Sequence, residues 1–553
     1  MGTVERRVGL LFLVFVVLLL AAGARASYLG LVKHGTLSRA AATQQVQTID
    51  MPAPRGNISD RNGVDLAVSE PADDVVANPR QIRNPPRLAT RLAPLLGVDA
   101  NALLPKLSDR SRGFVYLARQ VPATAADRVQ RMKADGLSFI PSMRRTYPRA
   151  FAASQVLGMV GVDGKPLAGL ELGENEVLGG QGGVRRIVSD ALGQPISITD
   201  DHPVKAGEDV RLTLDAALQD QVERVLDGVG QAYRPKGATA IVMDPRNGDV
   251  LALANWPRVD ANDAGNAPAY ARQDRAVGFT YEPGSTFKAF TVAAALQDRK
   301  VTPETPFALP VELQVADRRI HDAHERGPET LTVSQILAQS SNVGAALVGM
   351  RLGKRRFDHW VRSFGFGRAT GIGLPGEERG IVLPWQRYSG SSMGNLPIGQ
   401  GEAVTPLQMA MGYTAIANGG VLRRPRLIAA IDGKPVPPAP GRRVISATTS
   451  SQVREMLRGV LGPGGTASEA SIPGYDLAGK TGTAEKPDPV TGTYSKTRYI
   501  ASFVGFAPAH APRLLVTVMV DEPQGSIYGG EVAAPAFTRI AAFAMPYLGI
   551  PPR

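Results

Sequence analysis

The first regular feature of the chain is a run without charge from Val8 to Ala24, preceded by Arg6 and Arg7. Seventeen residues lie at the short end for a membrane span but suffice. A basic flank before the span puts the N-terminus in the cytoplasm and the remaining chain outside. Ala24-Arg25-Ala26 has the small-x-small form of a signal-peptide cleavage site, but the arginine inside it and the length of the run favour a retained anchor. The polar, Ala- and Gln-rich residues from about 27 to 50 predict a juxtamembrane helix. In Arg55 to Ala67 the turn signal Asn62-Gly63, with Val64 and Leu66 alternating after it, predicts a strand, a tight turn and a second strand. Between 80 and 140 basic and apolar positions alternate at helical spacing, as in Thr124 to Met132, predicting a helical insertion with solvated faces. Glycine-punctuated strands return around Arg145-Thr146-Tyr147-Pro148 and Gly169-Leu170-Glu171. Glu171 reads as a turn or hinge ion pair rather than a catalytic carboxylate.

A second pattern opens at Asp209-Val210-Arg211-Leu212-Thr213-Leu214-Asp215, a period-2 strand leading into a helix over Leu218 to Leu226. Ala238 to Pro245 and Asp249 to Ala254 flank Arg246-Asn247-Gly248, the signature of a β-hairpin. Further strands are expected at Ser502 to Ala507 and Leu514 to Asp521, and a last helix near Ala533 to Ala544. Helices fall between early and late strands, so the fold class is α+β with a mainly antiparallel sheet. Gly433 to Gly441, rich in proline, reads as a surface loop.

Composition narrows the classes. With 553 residues the chain has room for two or three domains, and 60 glycines and 43 prolines require many turns. The absence of cysteine excludes disulfides, thiolate metal sites and cysteine nucleophiles. A formal charge of +12 suits nucleic acid or an anionic envelope equally. No nucleic-acid motif is found, and the N-terminal span decides for the envelope.

The chemistry centres on Tyr281-Glu282-Pro283-Gly284-Ser285-Thr286-Phe287-Lys288. Pro283 and Gly284 break the chain before the apolar run Ala289 to Leu296, which reads as a buried helix. Ser285 is thus placed near a helix N-terminus with Lys288 one turn on, on the same face. Apolar surroundings depress a lysine pKa, and a neutral amine can take the proton of a serine nucleophile. Thr332-Val333-Ser334-Gln335 forms a capping box, and two turns later Ser340 and Asn342 can relay a proton and hold a carbonyl. Lys480-Thr481-Gly482-Thr483 reads as an edge strand. Lys480 and Thr481 offer a charge and a hydroxyl to a carboxylate, and Gly482 admits a close backbone. The backbone N–H groups of Ser285 and Thr483 are the candidate oxyanion hole. His321-Asp322-Ala323-His324-Glu325 fits no helical zinc spacing and reads as a polar loop, so neither metal nor cofactor is expected.

The chain holds a single Ser-x-x-Lys, a single Ser-x-Asn and a single Lys-Thr-Gly, in that order. On these motifs it resembles a class B penicillin-binding protein over nearly its whole length. Ile398-Gly399-Gln400-Gly401 and Val404-Thr405-Pro406-Leu407-Gln408 resemble a further signature of that family. The segments Arg55 to Ala67, Tyr147-Pro148 and Gly169-Leu170-Glu171 resemble its N-terminal pedestal. Leu66 to Ser69 and Phe114 to Gln120 resemble its cell-division branch, with the elongation type as the alternative. The resemblance implies a membrane anchor over residues 1–26 and an elongated, β-rich pedestal of the dimerisation type over 27–205. A penicillin-binding transpeptidase domain over 206–553 follows, an antiparallel sheet with helices on both sides.

The implied activity is D,D-transpeptidation of peptidoglycan stem peptides outside the cytoplasmic membrane, inhibited by β-lactam antibiotics. Ser285 with Lys288 would act as nucleophile and base, Ser340 and Asn342 in proton relay and donor orientation, and Lys480, Thr481, Gly482 and Thr483 in substrate binding. Without a glycosyltransferase domain, glycan polymerisation would fall to a SEDS-type, FtsW-like polymerase among divisome membrane proteins. A β-lactamase would share the three motifs, but no Glu-x-x-Leu-Asn lies between Asn342 and Lys480. A non-catalytic β-lactam receptor would need the same Ser285.

Overall fold

The charge-free N-terminal run lies within a helix, α1 (Gly2–Ser27), that continues as a π-helical turn over Tyr28–Val32. Its apolar side chains are almost all exposed, as side chains that face lipid would be, and Arg6–Val32 is long and apolar enough to cross a membrane. The structure, a computed structural model, describes residues 2–33, 35, 46–189, 195–488 and 493–552. The expected juxtamembrane helix is therefore seen only at its ends. Residues 34 and 36–45 lie outside the described residues, and Val46–Met51 is a strand rather than a helix. That strand pairs antiparallel with Gly183–Ser189, which in turn pairs with Pro195–His202. Hydrogen bonding to these distant partners overrides a composition that favours helix.

The chain divides into two units. One gathers Met1–Pro54, Pro71–Met143 and Gly180–Gly207; the other gathers Arg55–Glu70, Arg144–Gly179 and Glu208–Arg553. In the first, helices Pro85–Leu96, Ala100–Ser108 and Ala123–Gln130 supply the expected helical texture. Two strands had not been expected there: Val115–Pro122, which pairs with the Ala72–Ala77 segment, and the strand that begins at Leu137. Val75, Leu92, Leu103, Leu107, Leu117 and Val129 close a core of their own. Half-buried strands read ambiguously where arginines occupy their exposed positions, and Arg119 does so here.

In the second unit the hairpin Ile58–Ser59 and Asp65–Ala67 forms as predicted, with Ile58 opposite Ala67, and Val210 pairs in parallel with Ile58. Glu171 is fully buried and bridges two arginines, Arg55 Nε at 2.9 Å and Arg145 Nε at 2.6 Å. It is an ion-pair hub, as a buried carboxylate must be if it stays charged.

The core of this unit is a five-stranded antiparallel sheet. Its strands are β1 (Gly237–Met243), β2 (Val250–Trp256), β3 (Ala478–Pro487), β4 (Tyr494–Ala507) and β5 (Leu514–Asp521), in the order β2-β1-β5-β4-β3. Every residue of β1 and β5 is buried, so both faces of the sheet are covered. Helix α2 (Ala216–Tyr233), capped by Asp215, packs with the C-terminal helix, labelled α9 below (Ala534–Tyr547). A second group comprises α3 (Lys288–Gln297), α4 (Val333–Ala338), α5 (Asn342–Leu352), α6 (Lys354–Ser363), α7 (Pro406–Ala417) and α8 (Ala447–Gly459). Within it, α7 also packs on β5. The mid-chain helices thus lie between the early hairpin and the late strands in sequence, and the late strands close the sheet beside β1.

Candidate active site

The turn that carries Ser285 is shaped by glycine. Gly284 has φ +55°, a left-handed conformation in which an L side chain is strained. Gly284–Phe287 then make one 3₁₀ turn that runs into α3 at Lys288. Gly284 N–H donates to Gly399 O at 2.9 Å, and a Cβ on Gly399 would fall 2.1 Å from Gly284 O. Tyr281 pairs with Val404, and Tyr413 OH donates to Thr286 O at 2.7 Å. The Ile398–Gly401 segment and α7 therefore clasp the turn from one side. Beneath it the rings of Phe287, Phe290, Phe366 and Tyr413 pack with centroids 5.0 to 5.3 Å apart.

Edge strand β3 holds the turn from the other side. The space a Cβ on Gly482 would need is taken by Ser502 Oγ at 2.3 Å and Thr286 Cγ2 at 2.9 Å. Only glycine lets β3 approach the Ser285 turn this closely. This reason lies within the protein, beside the substrate approach expected from the sequence.

Lys288 is wholly buried. Its Nζ lies 2.6 Å from Ser340 O, 2.6 Å from Asn342 Oδ1 and 3.3 Å from Ser340 Oγ. The first two are pure acceptors. They can take both N–H groups of a neutral amine, which leaves its lone pair toward the side of Ser340 Oγ. Asn342 Nδ2 donates to His321 O at 2.9 Å, consistent with the amide oxygen facing the lysine. Burial pushes the Lys288 pKa down to about 7, against the opposing pull of the Asp322 charge. Ser340 has φ +62°, a conformation costly for a non-glycine residue and one that concentrates at functional sites. That turn, between α4 and α5, aims the Ser340 carbonyl at Lys288. Ser285 is half-buried, and its hydroxyl makes no hydrogen bond among the described residues. Catalytic hydrogen bonds are often open before substrate arrives.

Lys480 is also wholly buried, held well below the usual lysine range by burial and then by the neighbouring Lys288. Among the described residues its Nζ has only long contacts, 3.3 Å to Thr481 O and 3.4 Å to Thr481 Oγ1. A buried amine so poorly partnered is suited to an incoming carboxylate. Thr481 Oγ1 lies 2.7 Å from Thr466 Oγ1, and Thr483 Oγ1 accepts from Gly529 N–H at 3.2 Å.

Asp322, which the sequence places in a polar loop, lies beside this site. It accepts from the backbone N–H of Asn342, from that of Val343 at 3.0 Å and from Ser341 Oγ at 3.0 Å. It also pairs with Arg326 Nε at 2.5 Å. Burial raises its pKa, but the Arg326 and Val343 hydrogen bonds outweigh that and hold it below the usual carboxylate value. No local signal marks Asp322, because Ser341 already caps α5 through Gly344 N–H. Among the described residues no group of three or more His, Cys, Asp or Glu side chains is placed to hold a metal.

Comparison with known proteins gives the family. Residues 238–542 match the penicillin binding protein transpeptidase domain, and residues 50–212 match the penicillin-binding protein dimerisation domain. The peptidoglycan D,D-transpeptidase FtsI of Escherichia coli is 34% identical over 529 residues, spanning 94% of this chain and 87% of that protein. Stage V sporulation protein D of Bacillus subtilis is 34% identical over 565 residues, spanning 100% of this chain and 87% of that protein. Penicillin-binding protein 3 of Mycobacterium tuberculosis, in a crystal structure complexed with aztreonam, superposes with a TM-score of 0.72. The match is at 31% identity and covers 91% of this chain and 98% of that one.

Proposed function

Because this chain belongs to the class B penicillin-binding proteins, as a peptidoglycan D,D-transpeptidase that binds β-lactams, we propose that it works through a Ser285 acyl-enzyme with Lys288 as base. The observation that carries this reading is the buried Lys288 amine, near neutrality in pKa and oriented by two acceptors, one turn from Ser285. Lys288 Nζ takes the Ser285 hydroxyl proton as Oγ attacks the carbonyl carbon of the penultimate D-Ala. The backbone N–H groups of Ser285 and Thr483 stabilise the oxyanion. As the tetrahedral adduct collapses, the proton passes through Ser340 to the departing amine and terminal D-Ala leaves. Asn342 orients the donor peptide, and Lys480 with Thr481 or Thr483 binds its terminal carboxylate, with Gly482 keeping the strand close. An amine of a neighbouring stem peptide then attacks the ester, which restores Ser285 and completes the cross-link.

The wider setting of this reading is septal wall synthesis. Residues 1–26 act as a single-pass anchor in the cell (inner) membrane, 27–205 as an extracytoplasmic pedestal and 206–553 as the catalytic domain. The chain is a target of penicillin and works with a SEDS-type, FtsW-like polymerase and other divisome membrane proteins. Similarity to FtsI and the apolar α1 support this setting. Ser285→Ala tests the chemistry: it should abolish covalent labelling by a fluorescent penicillin with the fold intact, and Lys288→Ala should cost a comparable factor. Labelling that persists in Ser285→Ala would remove Ser285 as nucleophile. A fluorescent fusion spread evenly along the lateral wall through the cell cycle would remove the septal role.

A further inference from the structure

A concavity of about 840 Å³ shares no residue with the Ser285 site. Five arginines line it: Arg355, Arg356 and Arg362 on α6, Arg368 just after it and Arg442 beyond α7. Trp385 is the one apolar side chain among the lining residues.

The charges there do not balance. Arg362 pairs with Asp358 at 3.0 Å, and Arg356 is held by Asp298. Arg355 has no carboxylate partner among the described residues; its guanidinium stands 5.3 Å from the centre of the Trp385 ring, with Lys354 Nζ at 5.4 Å from the same ring. Arg368 and Arg442 spend donors on backbone carbonyls, Arg362 O at 3.3 Å and Ser363 O at 2.5 Å. Neither contact neutralises a charge. Partial burial, then the charges of Arg368 and Arg424, push Arg442 below the usual arginine range. Lys354, Arg355 and Arg356 also stand in the first turn of α6, the helix end where the dipole disfavours cations. The basin thus holds more positive charge than the carboxylates beside it balance.

We propose that this arginine-lined basin binds a phosphoanion, a phosphate ester or a diphosphate, either free or carried as a lipid headgroup. Guanidinium forks match the several oxygens of such an anion with paired hydrogen bonds. The Trp385 face offers a flat wall for the attached group. An acidic peptide fits less well, because the lining holds no aliphatic side chain to receive peptide side chains.

The test titrates the full chain in neutral detergent, at about 0.15 M ionic strength, with inorganic pyrophosphate and separately with glycerophosphoglycerol, a soluble phosphodiester headgroup. Calorimetry should show saturable one-to-one binding of pyrophosphate. In Arg355→Ala/Arg368→Ala that binding should weaken at least about tenfold, the loss expected for a hydrogen bond to a charged group. Arg442→Gln should weaken it too, with fluorescent-penicillin labelling unchanged in both variants as the check on folding. Binding of both probes assigns a lipid headgroup as the source, and binding of pyrophosphate alone assigns a free phosphoanion. If neither probe binds, or the variants bind as tightly as the parent, the proposal fails. It fails as well if hexaglutamate binds where the phosphoanions do not, which would make the basin a docking site for an acidic peptide.

Discussion

If Lys288 is the base, the rate of acylation should follow the fraction of Lys288 that is uncharged. Its pKa of about 7 makes that fraction about a tenth at pH 6, about half at pH 7 and about nine-tenths at pH 8. A solvent-exposed lysine would be neutral in only about one molecule in 3,000 at pH 7. Burial of the amine is thus worth about three orders of magnitude in available base. The charged form is the inactive one, so the rate must rise with pH, close to tenfold per unit below pH 6, and level off above pH 8. The assay is the second-order rate of fluorescent-penicillin acylation by the full chain, read across that range. In Lys288→Ala the residual rate should fall by roughly 10²–10⁴ and lose the step near pH 7. A parent profile that is flat from pH 6 to 8, or one still climbing tenfold per unit near pH 10, would refute the argument. Either result would mean that Lys288 does not supply the lone pair with the pKa its burial dictates.

Three further outcomes follow from other parts of the structure. With a chromogenic cephalosporin the chain should give one stoichiometric burst. No Glu-x-x-Leu-Asn lies between Asn342 and Lys480 to mark a deacylation base, and losing general-base help typically costs roughly 10²–10⁴ in rate; sustained turnover would instead indicate a β-lactamase. Glu171→Ala should lower stability by about 3–5 kcal/mol, because it strands Arg55 and Arg145 as uncompensated buried charges, and a negligible shift in thermal unfolding would contradict that role. Glu402 is buried beside Glu282, with Oε1 unpartnered among the described residues, and burial first, then the Glu282 charge, raise its pKa well above 4.5. Its stabilising contribution is full below pH 4.5 and is lost as pH rises through the folded value. Glu402→Gln should therefore gain in melting temperature over the parent at about pH 8 and not at about pH 4.5, and an equal gain at both would dismiss the titration.

Much of this protein was determined locally. The break at Pro283-Gly284 and the apolar run behind it place Ser285 and Lys288 a turn apart at the start of a buried helix, whatever surrounds them. The capping box at Thr332 and the hairpin about Asn247-Gly248 were legible for the same reason. Each is a short-range hydrogen-bond pattern written in neighbouring residues. What spans distance in the chain was not legible. Val46–Met51 and Val115–Pro122 became strands because partners far along the chain took up their backbone groups. Asp322 acts on residues about 20 positions away, so no motif could contain it. Gly482 looked like an opening for substrate, yet its missing Cβ also makes room for Ser502 and Thr286. The lysine pKa divides in the same way: sequence supplied an amine in apolar company, and only the tertiary packing that brings Ser340 and Asn342 against it buried that amine and lowered its pKa.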